Sequence, residues 1–573
     1  MFGFDEVAVA DFEYFAAPGE RPLPVCLVAQ ELVSGRTHRV FQEELLSMRH
    51  PPYPIGPDVL FVAHYAPAEI SCYLVLGWQV PLNIVDTFAE FANLTNGRYL
   101  PHGRGLVGAL TYFGLPTMSV VEKERNRQLV MRGAPYTGEE RRTILDYCQT
   151  DVDGAHRLLL ALWPNINIDH ALLRGRYMAA AAQIEHTGIP IDMERLGKLQ
   201  KYWVGIQDRV IETVDADYGV FDGRTFKGAR WEQWVNDHDI PWPRLPTGHL
   251  ALDDATFRQR ALAYPAIAPI RELRQMLGKM RISTLAIGAD GRNRTGLWPF
   301  AARTGRNQPK SSEFIMGLSV WVRSLIRAEP RHVVANNDYS QQEFGIAAAL
   351  SGDPAMIRAY QSGDPYMTFA QQAGAAPLDA TKESHGAVRE KFKTCALGTL
   401  YNMGAGTLAE RTGLVTPYAA DLLRLHHVTY PQFWDWSDRV VDYALLYNNL
   451  HTVFGWNLIV GGEPNPNSLR NFPMQANGAE MLRLACCLAV ERGVTVIAPV
   501  HDSLLIEASV GDSIEAIITA RRAMAEASRI VLGNLTLRTD VKVFSHPMRY
   551  IDKRGLAMWN TVWKVIRELE AGK

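Results

Sequence analysis

The sequence predicts two linked units: an α/β unit over residues 1–165 and a larger α+β unit over residues 166–573. Three observations predict this division. Short apolar runs alternate with helical periodicity as far as Trp163-Pro164, the pattern of strands layered with helices. An apolar strand, HVVANNDYS, begins near residue 331 and leads directly into helices. A second strand pair, VTVIAPVHDSLLIEAS, lies near residue 500, so two strand regions flank a long helical stretch.

Taken in order, EVAVADFEYF, PVCLVAQEL and VLFVAHY are the strands of the first unit. A helix spans about 138–163, and the boundary falls near 163–170. Residues from His170 to about Tyr218 are helical, interrupted at Gly188-Ile-Pro190. The Gly-, Pro- and Trp-rich stretch 219–270 predicts loops with short helices, and a further helix starts near Arg271. Helices follow the 331 strand to about Leu425, and the segment near 500 forms a hairpin.

With 573 residues, 47% apolar and 21% charged, the chain can bury several cores, which excludes wholesale disorder. The 59 basic and 61 acidic residues leave a net charge of −2, so no overall basic excess points to a polyanion. Residues 271–331 differ: twelve Lys/Arg against four acids make +8, suited to a polyanion or a solvated basic face. The six cysteines are dispersed, without zinc-ligand spacing, which fits a reducing cytoplasmic compartment. No apolar run reaches 18 residues, so neither a membrane span nor a signal peptide is expected.

Asp11 and Glu13 stand two apart on a predicted strand, so both carboxylates point to one face. Their repulsion calls for a cation, and oxygen ligands suit Mg²⁺ or Mn²⁺. Tyr147 and Asp151, four apart, share one face of a helix. In this order, with Glu69 between them and Asp86-Thr87 after it, these segments resemble the proofreading 3′–5′ exonuclease domain with its four acids. The family's middle acid is an aspartate. Glu69 is longer by one methylene, a displacement of roughly 1.5 Å that bears on rate.

In the second unit Asp338 ends an apolar strand and Asp502 sits at a hairpin tip, 164 residues later. Two rigidly held aspartates on adjacent strands can share two Mg²⁺ ions and clamp an in-line phosphoryl transfer. Between them Arg389, Lys393, Leu397 and Tyr401 recur every four residues as one helix stripe. Its cations can grip a triphosphate and its aromatic can stack near a base pair.

DYSQQEFG, then Arg389 and Lys393 with Tyr401-Asn-Met-Gly, then VHDS resemble motifs A, B and C of family A DNA polymerases. Supporting segments are IEHTGIPID, LGKMRISTL, RTGRNQP and LRNFPMQANGAEML. The resemblance implies an RNase H-like mixed sheet for the exonuclease domain (1–165). It also implies a right-hand α+β polymerase domain (166–573), with thumb about 190–295, palm about 296–350 and 430–573, and fingers about 351–429.

It further implies that Asp338 and Asp502, with the Tyr339 carbonyl, hold two Mg²⁺ ions, and that Mn²⁺ can substitute. Asp11, Glu13, Glu69 and Asp151 would hold the exonuclease metals, with Tyr147 alongside. Arg389 and Lys393 would hold the incoming dNTP. Leu397 and Tyr401 would lie by its sugar and the nascent pair, and Glu343 at the sugar gate. His501 would lie near the primer end, and Arg306 and Gln475 would contact primer–template DNA. Motif C departs from the family at Ser503, where a glutamate is usual. Leu397 replaces an aromatic, and Asn402 a glycine.

The compact size and the absence of a 5′-nuclease segment before Asp11 lead to the expectation of a phage-type replicative polymerase, and a monomeric, cytoplasmic protein is expected alongside. Its processivity partners are left open. The alternatives are a repair polymerase with a weak or inactive exonuclease, a single-subunit RNA polymerase, or a non-catalytic DNA-end-binding protein. Glu343 and the exonuclease signature oppose the RNA polymerase, and the intact Asp338, Asp502, Arg389 and Lys393 oppose the non-catalytic reading.

Overall fold

The computed structural model describes residues 2–279, 284–533 and 535–572. Residues 280–283 of the LGKMRISTL segment, Arg281 among them, lie outside the described residues.

The first sheet has five strands: β1 (Glu6–Phe15), β2 (Leu23–Glu31), β3 (Thr37–Phe41), β4 (Val59–Ala63) and β5 (Asn83–Asp86). Their order is β3-β2-β1-β4-β5. β1 is antiparallel to β2 and parallel to β4, which makes the sheet mixed. Both faces of β1 are covered, so Val7, Ala8, Val9 and Ala10 are all buried. Val7 and Val9 pack with Ile144, Cys148 and Val152 of helix Gly138–Leu162. Ala8, Ala10 and Phe12 face the other way, toward helix Pro67–Leu76 and helix Ile168–Thr187. Period 2 therefore sends Asp11 and Glu13 to the Gly138–Leu162 side, where Tyr147 and Asp151 reside.

Helix Gly138–Leu162 starts at a capping box in which Thr137 and Glu140 satisfy each other's main-chain amides. Asp86, fully buried, caps helix Thr87–Thr95 through the amides of Phe88 and Ala89. The same carboxylate accepts from the Tyr65 and Ala66 amides, which fixes the start of the helix that carries Glu69.

Helix Ile168–Thr187 is the seam of the molecule. It packs on β5 and helix Pro67–Leu76, and also on helix Pro466–Glu491 and strand Thr495–Val500. On it, Arg174 makes a buried two-pronged ion pair with Glu90 at 2.6 and 2.7 Å. One turn of that helix touches β5 so closely that a Cβ on Gly175 would lie 1.9 Å from the Ile84 carbonyl oxygen.

The second sheet has four antiparallel strands: β6 (His332–Tyr339), β7 (Thr495–Val500), β8 (Ser503–Ser509) and β9 (Thr539–Ser545), in the order β7-β8-β6-β9. Helices Pro466–Glu491 and Ser513–Val531 cover one face. Val334 and Leu505 on the other face join a separate core. That core is built from helices Met193–Asp215, Gly228–Asp237, Asp254–Ala263 and Ala268–Lys279 and from the C-terminal helix Leu556–Glu570. The helices from Gln342 to Tyr447 form a third group beyond the end of β6.

Five of the twelve basic residues of 271–331 are consumed inside the fold, where the sequence suggested a polyanion site or a solvated face. Arg292 pairs with Glu329 and Glu507, Arg294 with Asp290, Arg323 with Asp552, and Arg327 with Asp192. Arg274 lies over the rings of Phe226 and Phe257. Apart from Arg294–Asp290, four residues apart, these pairs join segments distant in sequence and match the arginine charge locally.

Gly175→Ala is expected to destabilise the protein by about 1–3 kcal/mol, because the backbones of the helix and β5 would have to part. Gly197→Ala, in helix Met193–Asp215 where a Cβ meets open space, should be neutral or slightly stabilising. Thermal unfolding of the two variants checks the pair.

Candidate active sites

Asp11, Glu13 and Asp151 each offer a carboxylate oxygen, and these oxygens all lie within 4.8 Å of one another. β1 supplies the first two and helix Gly138–Leu162 the third. The Cys148 thiol lies 3.2 Å from the Asp11 carboxylate. Glu69, almost fully buried, stands beside Asp11 but outside that group of three, and its Oε2 has no hydrogen-bond partner. The Tyr147 hydroxyl bonds to Asp151.

Burial, then the charge of Asp151, pushes the Asp11 carboxyl up to about 7. Burial, then Asp11, raises both Glu13 and Glu69 well above the usual carboxylate range. One residue that sequence reasoning missed enters here. Lys123 of helix Val120–Arg132 sets its ammonium 2.6 Å from Asp151 and over the Tyr147 ring. The VVEKERNRQLV segment carries charges all round, as a solvated helix does, so nothing in it marks Lys123. A single ammonium cannot balance four crowded carboxylates. The oxygen-only donor set, with an orphaned Glu69 oxygen, fits a hard divalent cation.

The second site lies at the end of β6. Asp338 is half-buried there, and the hairpin of β7 and β8 brings Asp502 beside it. The Tyr339 amide donates to the Asp502 carbonyl at 3.1 Å, which ties the strand end to the turn. His501 turns the hairpin with a left-handed φ of 56°. Burial, then the charge of Asp502, raises the Asp338 carboxyl to about 7. The Tyr339 ring is buried and its hydroxyl donates to the Met524 carbonyl.

Asp338 and Asp502 border a cavity of about 510 Å³ that Arg306, Glu343, Arg389, Lys393, Leu397 and His501 also line. Arg389, Lys393 and Leu397 share one stripe of helix Lys382–Leu400, which His385 kinks near its start. Tyr401 follows as the cap residue, so the predicted stripe loses its fourth member to the helix end. The Tyr401 hydroxyl donates to the Glu343 carboxylate and also meets the Gln475 side chain. Gln475 stands on helix Pro466–Glu491.

Two further acids at this site were not legible in the sequence. Asp364 accepts from Arg389 Nε at 2.5 Å, while Glu390 takes the same guanidinium at 2.9 Å. Asp540 of β9 stands opposite Asp338 and lines the same cavity. Neither belongs to a recognisable spacing. Asp364 resembles an ordinary helix cap, which it also is, and Asp540 lies 202 residues beyond Asp338.

Because Asp11 and Asp338 sit near 7 in the fold against roughly 3.9 in an unfolded chain, the folded state keeps protons that the unfolded chain releases. Metal-free protein should therefore lose stability as the pH rises from about 4 to 7. The double variant Asp11→Asn with Asp338→Asn should flatten that slope, and thermal midpoints between pH 5 and 8 measure it. An unchanged slope would assign it to other groups.

Residues 308–546 match the profile of DNA polymerase family A. The chain is 26% identical over 346 residues to the DNA polymerase of Mycobacterium phage D29, covering 56% of this chain and 54% of that one. It is 27% identical over 274 residues to DNA polymerase I of Deinococcus radiodurans (43% and 28% covered). It is 24% identical over 389 residues to DNA polymerase I of Aquifex aeolicus (65% and 66%). The matched stretches thus span between 28% and 66% of these relatives' own lengths. Its fold resembles the POL domain of Mycobacterium smegmatis Pol1, solved with DNA primer-template and dNTP. The TM-score is 0.71 at 18% identity, covering 93% of this chain and 95% of that one. The matched segment runs through β6, the Arg389 stripe and the Asp502 hairpin, so the similarity to DNA polymerase family A lies in the part of the chain that builds the second site.

Proposed function

We propose that the chain is a template-directed DNA polymerase that extends a primer 3′-OH with dNTPs and carries a 3′–5′ exonuclease in its first unit. The observation that carries the polymerase reading is one cavity bordered by Asp338, Asp502, Arg389, Lys393 and Glu343. The exonuclease reading rests on the convergence of Asp11, Glu13 and Asp151. A mixed sheet ordered β3-β2-β1-β4-β5 is the RNase H-like arrangement that such a domain would use.

Asp338 and Asp502 hold the divalent cations, Mg²⁺ by preference, with the Tyr339 carbonyl as a further oxygen. Bound there, such ions supply charge neutralisation and Lewis acidity at the attacking and leaving oxygens. Arg389 must exchange Asp364 for the incoming triphosphate, whose higher charge favours the exchange, and Lys393 adds a second cation. Glu343, steadied by Tyr401, fills the space a ribose 2′-hydroxyl would need. Leu397 lines the sugar side of the cavity without a polar contact. His501, Arg306 and Gln475 face the primer–template. In the first unit Asp11, Glu13, Glu69 and Asp151 hold the metal, and Tyr147 orients Asp151.

The division 1–165 and 166–573 follows, with thumb, palm and fingers at the boundaries expected from the sequence. Helix Leu556–Glu570 packs on helix Met193–Asp215 of the thumb range. A phage-type replicative role is supported by likeness to the polymerases of phages D29 and L5.

Asp338→Ala or Asp502→Ala should abolish extension of a labelled primer while sparing degradation of single-stranded DNA from its 3′ end. Asp11→Ala with Glu13→Ala should do the reverse. Loss of both activities from Asp502→Ala in a folded protein would sink the two-site reading. For the gate, Glu343→Ala should raise ribonucleotide incorporation at least tenfold, equivalent to about 1.4 kcal/mol in transition-state discrimination. Unchanged selectivity would move the gate elsewhere.

A further inference from the structure

We propose that Asp540 is a third carboxylate of the Asp338–Asp502 cation site, delivered by the edge strand β9. The proposal rests on the polymerase reading above and adds a residue to its site. β6 is paired on both sides. Asp338 stands opposite Ser503 of β8 on one side and opposite Asp540 of β9 on the other. Residues opposite one another on antiparallel strands project from the same face, with Cβ atoms roughly 4.5–5.5 Å apart. One row across three strands therefore reads Ser503, Asp338, Asp540.

The two flanks differ. Ser503 is buried, carries no charge, and spends its hydroxyl on the Val500 carbonyl at 3.0 Å. Asp540 is exposed and borders the same cavity as Asp338 and Asp502. Its Oδ2 accepts from the Ser340 hydroxyl at 2.8 Å, and the Ser340 amide donates to the Arg538 carbonyl at 2.9 Å. These bonds tie the chain leaving Asp338 to the chain approaching Asp540 and orient the carboxylate.

Like charges directly opposite across a ladder are destabilising, and the structure keeps such a pair beside a third acid. Lys542 stands opposite Asn336 on the same strand pair, but one ammonium does not balance three carboxylates. A divalent cation shared by the row converts the repulsion into attraction.

The test titrates Mn²⁺, followed by electron paramagnetic resonance, into the full chain bound to a dideoxy-ended primer–template and the matching dNTP. Asp11→Ala with Glu13→Ala is present throughout to silence the first site. Asp540→Asn should weaken Mn²⁺ binding about tenfold and raise the Mg²⁺ needed for half-maximal extension by a similar factor. Asp540→Glu should restore both. Ser340→Ala separates the two roles of Asp540, since it removes the strand tie and keeps the carboxylate, and Mn²⁺ affinity should persist. Wild-type Mn²⁺ affinity in Asp540→Asn would overturn the proposal, as would an equal loss in Ser340→Ala. Asp338→Asn is the control for the underlying reading. If it too left Mn²⁺ binding and extension unchanged, the polymerase site itself would be misassigned.

Discussion

Carboxylates that repel one another are held side by side in two places, and the architecture exists to hold them there. At the first site Asp11, Glu13, Glu69 and Asp151 crowd together, with Lys123 against Asp151. At the second, Asp338 and Asp502 meet beside Asp540. Each arrangement costs free energy in the absence of a cation, because burial and mutual repulsion both disfavour the charged forms. Rigid sheets make the cost sustainable. β1 is buried on both faces, and β6 is paired on both sides, so neither strand can swing its acids apart.

The same rigidity is carried between the sites by helix Ile168–Thr187. Its Gly175 lies against the β5 backbone, and its Arg174 is locked to Glu90 in the interior. Breaking that buried pair on one side would strand a charge, so the seam resists shear as well as separation. The arginines of 271–331 act alike. Arg292 alone joins Glu329 and Glu507, which stand 178 residues apart in the sequence.

Electrostatics within the second cavity is arranged for exchange. Arg389 is held by Asp364 and Glu390, and it lies over the Tyr366 ring, so the guanidinium is fixed in one orientation at the cavity wall. Glu343 is likewise held by Tyr401, whose hydroxyl is pushed up by burial and by that carboxylate and therefore remains a donor. Side chains oriented beforehand lose less entropy when substrate enters.

The sequence by itself determined which strands carry which acids. Period 2 on VAVADFEYF dictated one face for Asp11 and Glu13, and the four-residue spacing of Tyr147 and Asp151 dictated one side of a helix. The strand ending at Asp338, the hairpin tip at Asp502 and the Arg389–Lys393–Leu397 stripe were legible for the same local reason. Tertiary structure decided what could not be local. Lys123 and Asp540 reach their sites only through packing and strand register, across 28 and 202 residues from Asp151 and Asp338. The basic stretch changed its meaning because its partners, Asp192, Glu507 and Asp552, come from elsewhere in the chain. Local periodicity sets where a side chain points, whereas the partner it meets depends on how separate segments close on one another.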